Sequence, residues 1–300
     1  MKIFVTGATG FIGSAIVREL IDAGHQVLGM ARSDAGAKSL VAAGAQVHRG
    51  DLKDLKSLRS GAAMSDGVIH TGFIHDFSNF VENCEVDRRA IEALGSALKG
   101  SERPLLVTSG LATVAEGRMP TEDDAPLPQP ANPRASEAAA EALLKRGVRA
   151  SVIRLSQVHN TIKAGLVTYA IAVAREKGVS AYVSDGLNRW AGVHVLDAAR
   201  LYRLALEKQE AGTRYHAVAE EGVPVRDIAE ALGRGLKLPV ASKSREEAAA
   251  HFGWLTMFMG RDLIGSSEQT QQGLGWRPTG PGLITDLDGV NYFAAEHATA

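Results

Sequence analysis

Short apolar runs alternate with longer amphipathic ones through the first half of the chain. KIFVTG reads as a strand, and FIGSAIVRELIDAG as a helix ended by Gly24. HQVLGMAR is a second strand, AGAKSLVAAG a helix, AQVHRGD a third strand and LKDLKSLRSG another helix. GVIHTG, PLLVTSG and VRASVIRLS complete six strands, with a long helix around VDRRAIEALGSALKG between the fourth and the fifth. The stretch from Asn132 to Gly147, NPRASEAAAEALLKRG, reads as a helix with proline near its start, early Glu, late Lys and Arg, and a glycine stop. Strands bounded by helices in this rhythm predict an α/β fold with a doubly wound, mostly parallel, Rossmann-type sheet.

The pattern changes twice. EGRMPTEDDAPLPQPAN, Glu116 to Asn132, is acidic and proline-rich and reads as a long loop, either a functional lid or a plain surface excursion. After Ser156 the alternation loosens into a helix (GLVTYAIAVAREKG), a strand (SAYVSD) and a turn-rich tail with a final short helix. The expected division is a dinucleotide-binding domain over residues 1–158. A smaller substrate-binding domain over 159–300 would return segments to the first.

Composition narrows the class. Apolar residues make up 45% and the formal net charge is −1, which gives no bulk case for nucleic acid or an anionic membrane surface. One cysteine excludes an internal disulfide framework and fits a reducing compartment. The opening residues lack a basic segment followed by an apolar one, so a soluble, cytoplasmic protein is expected. The histidines are scattered, and neither a metal-binding spacing nor a G-x-S-x-G elbow occurs.

The most specific chemistry lies in VTGATGFIG. Gly7, Gly10 and Gly13 form G-x-x-G-x-x-G between the first strand and the first helix, where bare backbone and a helix N-terminus receive a pyrophosphate. An NAD-binding second strand usually ends in a carboxylate for the ribose 2′-hydroxyl. Here the strand ends in Arg32 and Ser33, a cationic fork and a hydroxyl suited to a 2′-phosphate, which favours NADP over NAD. Asp34 follows. Asp51 and Leu52 are placed to border the adenine, with a helix N-cap the other reading of Asp51. The candidate cofactor contacts are Gly7, Thr9, Gly10, Phe11, Ile12, Gly13, Arg32, Ser33, Asp51, Leu52, Thr71 and Gly72.

With these residues in place the chain resembles the short-chain dehydrogenase/reductase superfamily, in its extended or atypical, NAD-dependent epimerase/dehydratase-like branch. The resemblance rests on VTGATGFIG, on RGDL (Arg49 to Leu52), on VIHTG (Val68 to Gly72) and on LLVTSG (Leu105 to Gly110). SDGLNRWAGVHVLDAARLYRLALE (Ser184 to Glu207) and LGWRP (Leu274 to Pro278) carry it through the second half. It implies a cofactor lying across the C-terminal edge of the sheet with the substrate domain above, and a homodimer, which the residues themselves do not show. It also implies Tyr-x-x-x-Lys on the helix after the fifth strand, the tyrosine passing a proton while the nicotinamide passes a hydride. This chain departs from it: laid on SEAAAEALL, the motif falls on Pro133 and Glu137.

Replacement donors are Thr108 and Ser109 at the end of the fifth strand, Thr113 just beyond, and His159 after the sixth. His70 and His75 flank a loop that approaches the nicotinamide in this reading, and Phe73, Phe77 and Trp190 are candidates for an apolar wall. The expected function is an NADP(H)-dependent oxidoreductase acting on a small carbonyl, alcohol or imine. The alternatives are a catalytically degenerate NADP-binding sensor and a sugar-nucleotide epimerase or dehydratase.

Overall fold

The computed structural model describes residues 1–113, 117–127, 133–289 and 293. Twelve strands are present among them: β1 (Lys2–Thr6), β2 (Gln26–Ala31), β3 (Gln46–Arg49), β4 (Gly67–His70), β5 (Pro104–Gly110), β6 (Arg149–Leu155), β7 (Gln157–His159), β8 (Ser180–Val183), β9 (Arg189–His194), β10 (Arg214–Ala217), β11 (Glu220–Pro224) and β12 (Val240–Lys243). The helices are α1 (Phe11–Asp22), α2 (Asp34–Ala42), α3 (Leu55–Ala63), α4 (Phe80–Leu98), α5 (Ser136–Leu144), α6 (Gly165–Lys177), α7 (Val195–Lys208), α8 (Val225–Leu236), α9 (Arg245–Phe252), α10 (Thr256–Met259), α11 (Glu268–Leu274) and α12 (Leu283–Leu287).

Seven strands form one parallel sheet in the order β10-β6-β5-β4-β1-β2-β3. Both faces are covered, which is why β1 and β5 are continuous apolar runs rather than alternating ones. On one face α1 and α7 close a core around Ile3, Val5, Ile16, Leu20, Leu201 and Tyr202. On the other, α3, α4 and α5 pack through Leu58, Ile91, Leu94 and Leu143. The strand order reverses between β1 and β4, and the crevice above such a switch point is where ligands of open α/β sheets bind.

The second half builds a smaller layer over that edge. After Ser156 the chain leaves β6 for β7, which pairs with β9 and, through it, β11. With the β8–β12 pair and helices α6, α8, α9 and α12, they enclose a core of Val167, Ile171, Trp190, Leu232, Leu255 and Leu287. β10 and α7 go back to the first sheet, so the two halves share elements.

Two boundaries differ from the pattern reading. α3 begins at Leu55 because Asp54 is its N-cap, accepting from the backbone N–H groups of Lys56 and Ser57. α5 begins at Ser136, and Pro133 lies before it. Its Ala139, Ala140 and Leu143 face the sheet and α4. A Cβ at Gly95 of α4 would stand 2.4 Å from Leu143, so the glycine sets how closely these helices approach. No described helix is long and apolar enough to cross a membrane.

Candidate active site

The cradle stands at the C-terminal end of β1. Gly7 has φ +67°, and a Cβ there would meet Gly72 N at 2.7 Å and Thr71 Oγ1 at 2.8 Å. Gly10 N–H donates to Gly7 O at 2.9 Å, closing the turn. A Cβ at Gly13 would lie 2.0 Å from Gly7 O. α1 starts here with Gly10 as N-cap, no side-chain cap and no acidic residue in its first turn. Its positive dipole end therefore carries no carboxylate or side-chain cap of its own, the arrangement that fits a pyrophosphate. Thr71 Oγ1 donates to Thr6 O, which ties the β4 end to the cradle. Phe11 and Ile12 lean on the core, and Thr9 stands exposed beside the first turn of α2.

At the outer corner, Arg32 is 74% exposed and reaches Asp51 only at 3.7 Å. Asp34, the first carboxylate in sequence after β2, is ion-paired with Arg49. Ser33 Oγ caps α2 by accepting from Gly36 N–H at 3.1 Å, and its own hydrogen remains a donor. Asp51 closes a turn by accepting from Lys53 N–H, so the N-cap role considered for it belongs to Asp54. Leu52 is buried in the core beside Gly72.

Further along the crevice a buried hydrogen-bond chain joins the cradle strand to α5. Thr6 Oγ1 and His70 Nδ1 are 2.8 Å apart, and His70 Nε2 and Asp87 Oδ1 3.0 Å. Ser136 Oγ donates to Asp87 Oδ2 at 2.6 Å and accepts from Arg134 Nε at 3.0 Å. Donors and acceptors fall into place along the chain if the threonine hydroxyl donates to Nδ1 and the imidazole donates to the carboxylate. Burial by itself would raise the Asp87 carboxyl. The His70 hydrogen bond, the Arg134 charge and the Ser136 hydrogen bond outweigh it and hold the group below its ordinary range.

The positions where the family motif would stand do other work. Pro133 precedes the helix without a titratable group. Glu137 is 5% exposed and bidentate to Arg154 at 3.0 and 2.7 Å, with Arg214 at 3.5 Å. Arg154 continues to His216 Nε2 at 3.1 Å and to Asp124 O. Glu137 is thus the counter-charge of a buried arginine. The same cluster anchors the acidic loop: Glu122 accepts from Thr270, and Arg118 is ion-paired with Asp124. The described part of that loop, 117–127, is pinned over the sheet edge, while 114–116 and 128–132 lie outside the described residues.

The structure gathers some donor candidates and separates others. Thr108 Oγ1 donates to His70 O at 2.7 Å and lies 2.6 Å from the Tyr202 hydroxyl. Burial pushes that phenol up, so Tyr202 stays protonated. Ser109, the next residue, is buried with no partner for its Oγ among the described residues. Thr113 ends a 3₁₀ turn, Leu111–Thr113, and its side chain lies outside the described part. His159 is elsewhere: it is 0% exposed, with Nδ1 2.6 Å from Asp286 on α12. Burial lowers its pKa, and no part of the ring reaches solvent. His194 accepts from Leu196 N–H as the α7 N-cap. Trp190 is fully buried, whereas Phe73 and Phe77 take part in a half-exposed aromatic wall. Cys84 offers no thiolate, since burial holds it up at about 11. Among the described residues no cluster could hold a metal.

Sequence reading passed over Arg134, Ser136, Asp87 and Trp254. A local signal existed for the first two, an arginine and a serine at the mouth of a helix that should carry the catalytic group.

A glycine cradle at the switch point of a doubly wound sheet, with a second layer above it, defines a dinucleotide-binding protein of the short-chain dehydrogenase/reductase superfamily. The model of the NAD dependent epimerase/dehydratase family matches residues 3–219, and the chain belongs to that family. It is 50% identical over 296 residues to an uncharacterized protein of Schizosaccharomyces pombe, covering 98% of this chain and 100% of the other. It is 27% identical over 325 residues to the UDP-glucose 4-epimerase of Streptomyces lividans, covering 93% and 92%. The UDP-glucose 4-epimerase of Thermus thermophilus, in complex with NAD, superposes with a TM-score of 0.76 at 22% identity, covering 98% of this chain and 99% of that one.

Proposed function

We propose that this protein is an NADP(H)-dependent oxidoreductase whose substrate is a small carbonyl compound or the corresponding alcohol or imine. The observation that carries the reading is the cradle, where the Gly7 carbonyl leaves no room for a side chain at position 13. Preference for NADP rests on the exposed Arg32, the hydroxyl of Ser33, and the engagement of Asp34 by Arg49. When bound, the nicotinamide supplies or accepts the hydride. The protein's part is to orient the two reactants, exclude water and polarise the reacting oxygen. We place the polarising hydroxyl at the end of β5, on Ser109, because Thr108 is already engaged by His70 and Tyr202. We do not assign the donor to His159, whose ring is enclosed by protein.

A second reading, an NADP-binding sensor without turnover, is favoured by one feature: the Tyr and Lys positions are filled by Pro133 and by a Glu137 committed to Arg154. An epimerase would need the missing base still more. Titration with NADPH and NADH, followed by nicotinamide fluorescence, tests the cofactor. Arg32→Ala is expected to weaken NADPH by about 10- to 100-fold, the worth of one charge-assisted contact, and to leave NADH nearly unchanged. Equal losses for both would overturn the NADP assignment. Oxidation of NADPH by a panel of ketones, aldehydes and imines then separates enzyme from sensor.

A further inference from the structure

The crevice above the switch point has a wall that the cofactor reading does not use. Six of the chain's sixteen Phe, Tyr and Trp residues stand in it, joined in one run of ring contacts. The run starts at Phe73, next to Gly72 of the cradle, and Phe73 meets Phe80 at 6.2 Å. Phe80, Phe77 and Trp254 then stack, with ring centres 5.6 and 4.1 Å apart and planes 27° and 8° from parallel. Tyr169 of α6 meets Trp254 edge-on at 5.0 Å, and Phe258 of α10 meets it edge-on at 6.4 Å. Phe73, Phe77 and Phe80 lie between β4 and α4 and the other three in the second layer, so the wall crosses from one layer to the other.

None of the six is fully buried, whereas Phe4, Tyr202, Trp190 and Trp276 fill the cores. Contiguous ring surface left in water inside a crevice marks a ligand site. The wall is also held in place. Asp76 caps the 3₁₀ turn Phe77–Asn79 by accepting from Ser78 N–H and Asn79 Nδ2, and its own carbonyl accepts from Asn83 Nδ2 at 2.8 Å. Phe77 is therefore presented by a fixed turn. The stack ends on Trp254, which is still 38% exposed although Phe77 lies against its indole.

Charges near the wall are of both signs. The Asp76 carboxyl is held below its ordinary range by its hydrogen bonds with Ser78 and Asn79 and is ionised at neutral pH. Arg134 donates to Ser136 Oγ and to Thr108 O and lies over the Phe73 ring, 4.1 Å from its centre, so it is committed to the protein. His75 is uncharged at neutral pH: its pKa is lowered to about 4, by desolvation first and then by Arg134 and Lys163, although part of the residue meets solvent. A charged ligand body would gain from one of these groups, lose to another, and lose its hydration against the rings.

We propose that this wall is the subsite for the apolar body of the substrate, a flat uncharged ring that stacks on Trp254 as the next member of the Phe80–Phe77–Trp254 series. Aromatic rings favour offset-stacked partners at this spacing, and the stack adds to what burial of equal area gives a saturated ring. Trp254 is then a specificity-determining residue, oriented by Phe77 and Tyr169. That the ring belongs to a carbonyl compound rests on the oxidoreductase reading; the stacking does not.

The probes are 4-phenylbutan-2-one, 4-cyclohexylbutan-2-one and 4-(3-oxobutyl)benzoate, titrated calorimetrically at neutral pH with and without saturating NADP⁺. The phenyl ketone is expected to bind about three- to tenfold tighter than the cyclohexyl ketone. The benzoate should bind no tighter than the phenyl ketone. The phenyl ketone should also quench tryptophan fluorescence, a signal that reads Trp254 because Trp190 and Trp276 are fully buried. Trp254→Leu should erase the phenyl preference and Trp254→Phe keep most of it, each with the far-ultraviolet circular dichroism of the parent. Absence of binding or of quenching under both conditions, equal affinity for the two ketones, tighter binding of the benzoate, or a phenyl preference that survives in a folded Trp254→Leu overturns the proposal. Failure of NADPH to bind, or of the phenyl ketone to oxidise it, would sink the oxidoreductase reading alone, because the ketone ratio of the apoprotein still reads the wall.

Discussion

At Gly13 the methyl group of an alanine would lie 2.0 Å from the Gly7 carbonyl oxygen and 2.7 Å from its carbonyl carbon. Both atoms are backbone, so relief requires the first turn of α1 to move away from β1. Gly13→Ala is expected to cost about 1–3 kcal/mol of stability, as overpacking does elsewhere. It should weaken NADPH by at least tenfold, because the displaced N–H groups are those proposed to receive the phosphates. Urea melts and NADPH titration of the same preparation check both; a variant that binds NADPH like the parent would show that the cradle is not the phosphate site. The geometry of this turn was legible in the sequence because it is local. Gly7, Gly10 and Gly13 act within one turn, and the strand and helix on either side are set by short apolar runs. The place of Arg32 and Ser33 at the end of β2 was legible for the same reason; the cofactor contacts proposed for them are what the Arg32→Ala titration reads.

Helix α5 shows where such reading ends. Its alanine body and its glycine stop were plain, and its first turn was misplaced because no side chain caps it and Pro133 stands outside. Its chemistry depends on partners far away in the chain: Asp87 is 49 residues before Ser136, and Arg154 is 17 after Glu137. Only the packing of α4 and α5 on the same face of the sheet brings them together, and spacing in sequence does not encode that. His159 is the converse case. It followed a strand as expected, yet that strand runs on as β7 into the second layer, and Asp286, 127 residues later, encloses the ring. The Glu137–Arg154 pair carries a prediction at this scale. Glu137→Gln would leave Arg154, 0% exposed, without its principal counter-charge. Breaking one side of a buried pair costs about 3–5 kcal/mol. For a chain of this size that lowers Tm by on the order of 10 °C. Differential scanning calorimetry checks it, and a shift of under about 2 °C would mean that acceptors such as the loop carbonyl of Asp124 already compensate the guanidinium.

Across the whole molecule, buried neutral histidines brace the interior, His216 beside the first sheet and His159 within the second layer. His216, on β10, is fixed in one protonation state: Arg154 can only donate to its Nε2, and its Nδ1 donates to Ser266 O at 2.7 Å. Its pKa is lowered, by desolvation first, and so is that of His159 where β7 meets α12. A histidine whose folded pKa lies below its unfolded value of about 6.5 binds its proton more readily in the unfolded chain. Stability is then fully present above pH 6.5 and falls as the solution is acidified toward the folded pKa. The slope is at most about 1.4 kcal/mol per pH unit for each such histidine. Carboxylates held low by ion pairs, such as Asp124 at about 2, lose their contribution only below pH 4 or so, which keeps the windows apart. Urea melts at pH 8.5, 7.5 and 5.5 should give nearly equal midpoints for the first two and a lower one for the third. The loss should be cooperative for both layers, because β7, β10 and α7 tie them into one unit. A midpoint that rises on acidification would mean that Asp286 holds His159 as an imidazolium and that a salt bridge braces the second layer instead.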